Sequence, residues 1–280
     1  ANCGRLLEAR DVLDKLQCRD VVSWTALISG YTKYGHCKEA LESFQKMNLE
    51  GISANAVSFL CILKACASVG SLKICEEIDA TVSKQGLLVQ NNVLGNTLID
   101  AYAKCGAPGK AREVFEQLPI RNIVSWNALM SGYVEHGLGN ETFECFKKMR
   151  EEGTSPDSIT YMCVLKACGI VGSLEIGEET HAKVRQRGLG KNIVLGNTLI
   201  DMYAKSGMLA RARHVLDQLP VRDIVSWNTL IAGYAQNEQG NEALNCFACM
   251  QREGLTADGI TFACILKACG SMKAIDKGKS

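Results

Sequence analysis

The chain has 280 residues, 47% of them hydrophobic, with 31 basic and 30 acidic side chains and a net charge of +1. That balance argues against indiscriminate nucleic-acid binding, which shows as a strongly basic domain; no apolar run is long enough to cross a membrane, so no membrane partner is expected. Fourteen cysteines could signal a disulfide framework, but Cys61, Cys66, Cys163, Cys168, Cys264 and Cys269 recur at matching places in apolar segments, where the thiol serves as a small hydrophobe in a reducing compartment.

In chain order, residues 1–20 parallel residues 103–122: Ala1-Asn2-Cys3-Gly4 against Ala103-Lys104-Cys105-Gly106, and Glu8-Ala9-Arg10 against Lys110-Ala111-Arg112. A unit at 21–55 opens on Val21-Val22-Ser23-Trp24-Thr25. A unit at 56–91 carries Ile62-Leu63-Lys64-Ala65-Cys66, and one at 92–122 carries Gly95-Asn96-Thr97-Leu98-Ile99-Asp100. The same three return at 123–157, 158–192 and 193–223, with Ser125-Trp126-Asn127, the stretch from Val164 to Cys168, and Gly196-Asn197-Thr198-Leu199-Ile200-Asp201. A third round begins at 224–258, with Ser226-Trp227-Asn228, and runs into a partial unit at 259–280. The step from Trp24 to Trp126 is 102 residues, and from Trp126 to Trp227 it is 101. Self-similarity on this scale means a stack of units, each packing on its neighbours. Both ends are expected to fall inside repeats, which makes the chain a fragment of a longer array.

Within a unit the spacing predicts helix, turn, helix. A short apolar first helix, as at 24–33, precedes a glycine at the fifteenth position: Gly35, Gly70, Gly106, Gly137, Gly172 and Gly207. The unit at 224–258 departs from this, with Glu238 there and Gly240 nearby. The second helix has helical apolar spacing, as in Ala40, Leu41, Phe44 and Met47, and a second glycine ends most of the longer units. No segment alternates with period two. The expected fold is all-α, a solenoid of helix-turn-helix repeats.

At these residues the chain resembles the pentatricopeptide repeat family, specifically the plant subclass that alternates P-, L- and S-type motifs. The Val-Val-Ser-Trp starts look P-type, the Leu-Lys-Ala-Cys segments L-type, and the Gly-Asn-Thr-Leu-Ile-Asp segments S-type. The array then runs partial S (1–20), P (21–55), L (56–91), S (92–122), P (123–157), L (158–192), S (193–223), P (224–258) and partial L (259–280). The resemblance implies a right-handed superhelical solenoid that binds single-stranded RNA, one base per repeat, read by two or three side chains.

The resemblance further implies that the second residue of each motif sandwiches a base. Here these are Val22, Val57, Val93, Val124, Ile159, Val194, Val225 and Ile260, all stiff β-branched side chains that lose little entropy on contact. The other reading of them is an apolar helix start buried in the core. The fifth and last residues are the family's base-reading pair: Thr25 with Asn55 resembles the adenine pair, and Asn96 with Asn122 a pyrimidine pair favouring cytosine. Asn127 with Asp157, Asn197 with Asp223, and Asn228 with Asp258 resemble the uracil pair. Helix capping is the alternative role for Asn and Asp at unit ends, and the two roles are compatible. Leu60, Met162 and Ala263, the L-type fifth residues, cannot hydrogen-bond a base edge. With RNA running parallel to the protein, the expected site is 5′-A-N-(C/U)-U-N-U-U-3′. Lys33, Lys104 and Lys205, at the thirteenth position, are either phosphate contacts or solvated surface.

No His-x-Glu with Pro-Cys-x-x-Cys occurs, as a zinc deaminase requires, and the lone Cys246-x-x-Cys249 lies in an amphipathic helix. No catalysis, metal or cofactor is expected. The resemblance implies the target-recognition part of an organellar C-to-U RNA editing factor in a mitochondrion or chloroplast, with no targeting peptide legible in this stretch. The rival is a protein-interaction scaffold in which L-type units dock editing partners. Apolar end faces of a truncated array also allow a dimer without RNA.

Overall fold

The structure, a computed structural model, describes residues 5–278, leaving aside the side chains at 90 and 271–278. The Ala1-Asn2-Cys3-Gly4 parallel and the last two residues of the partial unit at 259–280 lie outside the described residues. Among those described, every regular element is helical. The chain divides into two compact units, Ala1–His136 and Gly137–Ser280.

The first unit holds α1 (Leu6–Lys15), α2 (Val21–Lys33), α3 (Cys37–Leu49), α4 (Ala56–Val69), α5 (Leu72–Lys84), the short α6 (Leu87–Gln90), α7 (Asn92–Lys104), α8 (Pro108–Gln117) and α9 (Ile123–Glu135). The second holds α10 (Gly139–Glu151), α11 (Ser158–Val171), α12 (Leu174–Gln186), a 3-10 turn at Leu189–Lys191, α13 (Ile193–Lys205), α14 (Leu209–Gln218), α15 (Ile224–Gln236), α16 (Gly240–Arg252) and α17 (Gly259–Gly278). The first helices start earlier than the apolar pattern implies: α2 begins at Val21, not Trp24, because the polar residue before it caps the helix and draws Val21, Val22 and Ser23 into its first turn.

Within each compact unit the first helices pack on their second helices and on one another. In the first compact unit α2 lies on α4, α4 on α7 and α7 on α9; in the second, α11 lies on α13, α13 on α15 and α15 on α17. A helix with three packed sides has to be apolar over most of its circumference, whereas the second helices keep a solvent face and a narrower apolar stripe. The first helices approach closely through small residues. A Cβ added at Gly132 or Gly233 would fall 2.6 Å from the Cβ of Ala103 or Ala204 respectively. Each compact unit has its own core. Trp24, Trp126 and Trp227 are all buried, and the indoles of Trp24 and Trp227 donate to Glu50 (3.1 Å) and Glu253 (2.9 Å) at the far ends of their hairpins. Cys66, Cys163 and Cys168 are buried, Cys61, Cys264 and Cys269 half-buried, and the described cysteines are free thiols.

The glycines expected to close the helices take left-handed backbone, with φ between 64° and 81°. Glu238 is the one described non-glycine residue with positive φ, at 59°. A side chain there costs roughly 1–2 kcal/mol, and glycine gives part of that back through the greater freedom of its unfolded chain. Glu238→Gly is therefore expected to stabilise the second compact unit by about 0.5–1 kcal/mol. A urea midpoint that stays put or falls would contradict this.

Candidate nucleic-acid interface

The last residue of each unit caps the next first helix. Asp20, Asn55, Asn122, Asp157, Asp223 and Asp258 accept, through Oδ1, the backbone N–H three residues on, at 2.8 to 3.1 Å. That N–H belongs to a serine or threonine whose hydroxyl also bonds to the cap; at Asp20, Asn55, Asn122, Asp157 and Asp258 it accepts the cap's own N–H, as in a capping box. Asn91 and Asn192 cap α7 and α13 in the same way, onto Leu94 and Leu195. Capping is thus a role that the structure shows for the unit-ending residues. In Asn55 and Asp258 these bonds converge on Oδ1, which leaves Nδ2 and Oδ2 for a ligand.

The caps also set charge. The N–H of Thr261 above all, helped by the Asn228 amide, holds the Asp258 carboxyl below its ordinary range. Burial pushes Asp223 the other way, but the N–H and hydroxyl of Ser226 and the Asn197 amide outweigh it, and the net direction is down. Both are acceptors only near neutral pH.

All eight second-position residues are exposed, from 45% for Ile159 to 67% for Val22. The buried-core reading of them does not hold. These first helices instead present an exposed β-branched side chain at the second residue. In the second compact unit Val225 and Ile260 line an open cavity of about 310 Å³, together with Asn228, Asp258, Asp201 and Gln236. Its apolar members belong to consecutive motifs, and Asn228 and Asp258 are its fifth and last residues.

Thr25, Asn127 and Asn228 are largely buried, at 8%, 6% and 6% exposure. Asn228 Nδ2 donates to Asp258 Oδ1 at 3.1 Å. Thr25 reaches Asn55 through Ser58: the two hydroxyl oxygens are 2.6 Å apart, and Ser58 donates to Asn55 Oδ1 at 3.0 Å. Asn197 is half-buried and donates to Asp223, while its own Oδ1 is buried without a partner, as is that of half-buried Asn96. Asn122 caps α9 (Ser125 N–H at 3.1 Å and Val124 N–H at 2.9 Å). Asn127 lies on α9 and Asp157 caps α11. Leu60 and Met162 are half-buried and Ala263 is exposed.

Lys33, Lys104 and Lys205 are the last residues of α2, α7 and α13, where a cation complements the helix dipole. Lys104 pairs with Asp100 at 2.9 Å and Lys205 with Asp201 at 2.7 Å, while the Lys33 ammonium sits 5.7 Å from the Tyr34 ring centre. A phosphate would compete with those carboxylates, but exposed i,i+4 pairs are weak, roughly 0.3–0.5 kcal/mol. Among the described residues no group of three or more His, Cys, Asp or Glu side chains could hold a metal ion, and no helix is long and apolar enough to cross a membrane. Cys246 is buried on α16. Sequence reasoning missed the third residue of each motif, a hydroxyl among the capping and fifth residues at Ser58 and Thr261 but a leucine at Leu94 and Leu195; its signal is that it changes type with the kind of unit before it.

Comparison with known proteins bears on the same residues. A PPR repeat family model matches residues 19–68, 121–169 and 222–271, and a PPR repeat model matches 96–123 and 197–224. A chloroplastic pentatricopeptide repeat-containing protein of Arabidopsis thaliana is 37% identical over 98% of this chain and 44% of its own length. A putative mitochondrial one from the same plant is 37% identical over 99% of this chain and 44% of its own. The chain thus spans less than half the length of these relatives. The crystal structure of the pentatricopeptide repeat protein PPR10, in complex with an 18-nt psaJ RNA element, superposes with a TM-score of 0.51 at 19% identity over 94% of this chain and 50% of that one, a likeness of fold.

Proposed function

The chain belongs to the PPR repeat family, and on that premise we propose that it binds single-stranded RNA by sequence, one base per repeat. The observation that carries this reading is the slot at residues 225–260, where exposed Val225 and Ile260 flank the bonded pair Asn228–Asp258. A base between two β-branched side chains would cover apolar surface on both its faces, and the pair beneath would meet its Watson–Crick edge. The other second, fifth and last residues named above take the same roles in their own motifs.

The units follow the P, L, S order, and the site is 5′-A-N-(C/U)-U-N-U-U-3′. Lys33, Lys104 and Lys205 supply a discontinuous phosphate track, so salt dependence is moderate. The apolar fifth residues Leu60, Met162 and Ala263 keep the spacing of the L-type units, which are also where protein partners would dock. The whole protein acts as the recognition part of a C-to-U RNA editing factor in a chloroplast or mitochondrion, the organelles of the relatives above, with catalysis supplied from outside these residues. A dimer when RNA is absent belongs to the same reading.

Fluorescence-anisotropy titration at one salt concentration tests the reading. An RNA containing A-N-C-U-N-U-U is expected to bind at least ~100-fold more tightly than one with purines at the three uracils, because each mismatch costs about 1–3 kcal/mol. Equal, weak binding of both RNAs would overturn sequence recognition and leave the scaffold reading.

A further inference from the structure

Behind the reading pairs lies a residue with no assigned part, the third of each motif. Ser58, Ser125, Thr160, Ser226 and Thr261 are all fully buried. In sequence, each follows by one motif a polar fifth residue: Thr25, Asn96, Asn127, Asn197 and Asn228 respectively. Where the preceding fifth residue is apolar, Leu60 or Met162, the third residue is Leu94 or Leu195, also fully buried. A capping box alone does not explain this alternation, since Asn91 and Asn192 cap their helices perfectly well onto a leucine.

At two of these places the hydroxyl touches the fifth residue itself. Thr25 Oγ1 lies 2.6 Å from Ser58 Oγ, and Thr261 Oγ1 donates to Asn228 Oδ1 at 2.7 Å. The Thr261 hydroxyl is also 2.9 Å from Asp258 Oδ1, but that oxygen already accepts the Thr261 N–H and the Asn228 amide. Its single hydrogen satisfies more groups when given to Asn228. With Oδ1 held from behind and Nδ2 turned to Asp258, the Asn228 amide cannot flip by half a turn, a motion that would exchange donor and acceptor. At Asn197 the Ser226 hydroxyl is spent on Asp223 at 2.8 Å, and the Asn197 oxygen is left buried without a partner.

We propose that the third residue of the following motif is a positioning residue for base recognition: Thr261 fixes the donor–acceptor orientation of Asn228, and Ser58 that of Thr25, so that each base is read by the fifth and last side chains of one motif, held by a hydroxyl of the next. This rests on the RNA-recognition reading above. The S-type units, where the hydroxyl turns to the cap, are then the less discriminating readers.

The test is a set of base-preference ratios, measured by anisotropy on RNAs that differ at a single base, for the native chain, Thr261→Val, Thr261→Ser and Ser58→Ala. Thr261→Val keeps the shape and removes the hydroxyl. It is expected to cut discrimination at the base facing Asn228 about 3- to 10-fold, the worth of one hydrogen bond, with the ratios at other bases unchanged. Thr261→Ser restores the native ratio. Ser58→Ala does the same at the base facing Thr25, and this second site stands if Thr261→Val fails to fold. A uniform loss of affinity at every base, or native ratios in both hydroxyl-free variants, would overturn the positioning role. A native chain that discriminates at no base would instead bring down the recognition reading and the positioning role with it.

Discussion

Asn228→Thr combined with Asp258→Asn is expected to turn the preferred base at that motif from uracil to adenine. The template is in the same molecule: Thr25 and Asn55 are joined through the hydroxyl of Ser58, and Thr261 offers a hydroxyl at the corresponding place. The exchange replaces an amide donor and a carboxylate, held ionised chiefly by the Thr261 N–H, with a hydroxyl and an amide that can both donate and accept. Each wrong pairing costs about 1–3 kcal/mol, so the ratio between the two bases should move by roughly 5- to 150-fold in each direction. The fold should tolerate the change, because asparagine caps a helix about as well as aspartate. The measurement is a paired titration with RNAs that differ only at that base. A double variant that keeps its uracil preference would disprove the assignment of Asn228 and Asp258 as readers.

Trp227→Ala is expected to cost the second compact unit about 3–5 kcal/mol, the range for removing a large buried aromatic. Trp227 is 1% exposed, and its indole N–H donates to Glu253 Oε2 at 2.9 Å, joining the start of α15 to the residue after α16. The Arg213 guanidinium of α14 lies 5.4 Å from its ring centre. Its loss therefore loosens three helices together and leaves Glu253 with its ion pair to Arg222 alone, at 2.9 Å. Stack stability is largely a sum of neighbour terms, so the damage should centre on α14 to α16. Urea unfolding, with hydrogen exchange to locate the opening, reads both quantities. A loss under about 1 kcal/mol would mean the indole is not the pin of its hairpin.

Much of this protein was legible before any coordinates. The three tryptophans at one step mark the period, and glycine at the fifteenth position marks each turn, because a left-handed residue without a Cβ is the cheapest way to end a helix. Even the exception, Glu238, stands out against the pattern and then proves to hold the left-handed conformation itself. Asn and Asp at unit ends were readable as caps, since capping depends on residues three apart in sequence.

What required the tertiary structure is whatever depends on residues some thirty apart. An apolar residue at a helix start looks the same in sequence whether it is buried or bare. Only the side-by-side packing of the first helices leaves Val22 to Ile260 exposed at one register position. Lysine at a helix end does not reveal that Lys104 and Lys205 are already paired. The partnership of Thr25 with Ser58, or of Asn228 with Thr261, spans 33 residues, because neighbouring hairpins bring those positions together. By itself, then, the sequence determined the repeat, its hairpins, turns and caps, all of them local chemistry written once per unit. The tertiary structure decided which of those side chains remain free to meet a ligand, because exposure is set by the packing of one repeat against the next.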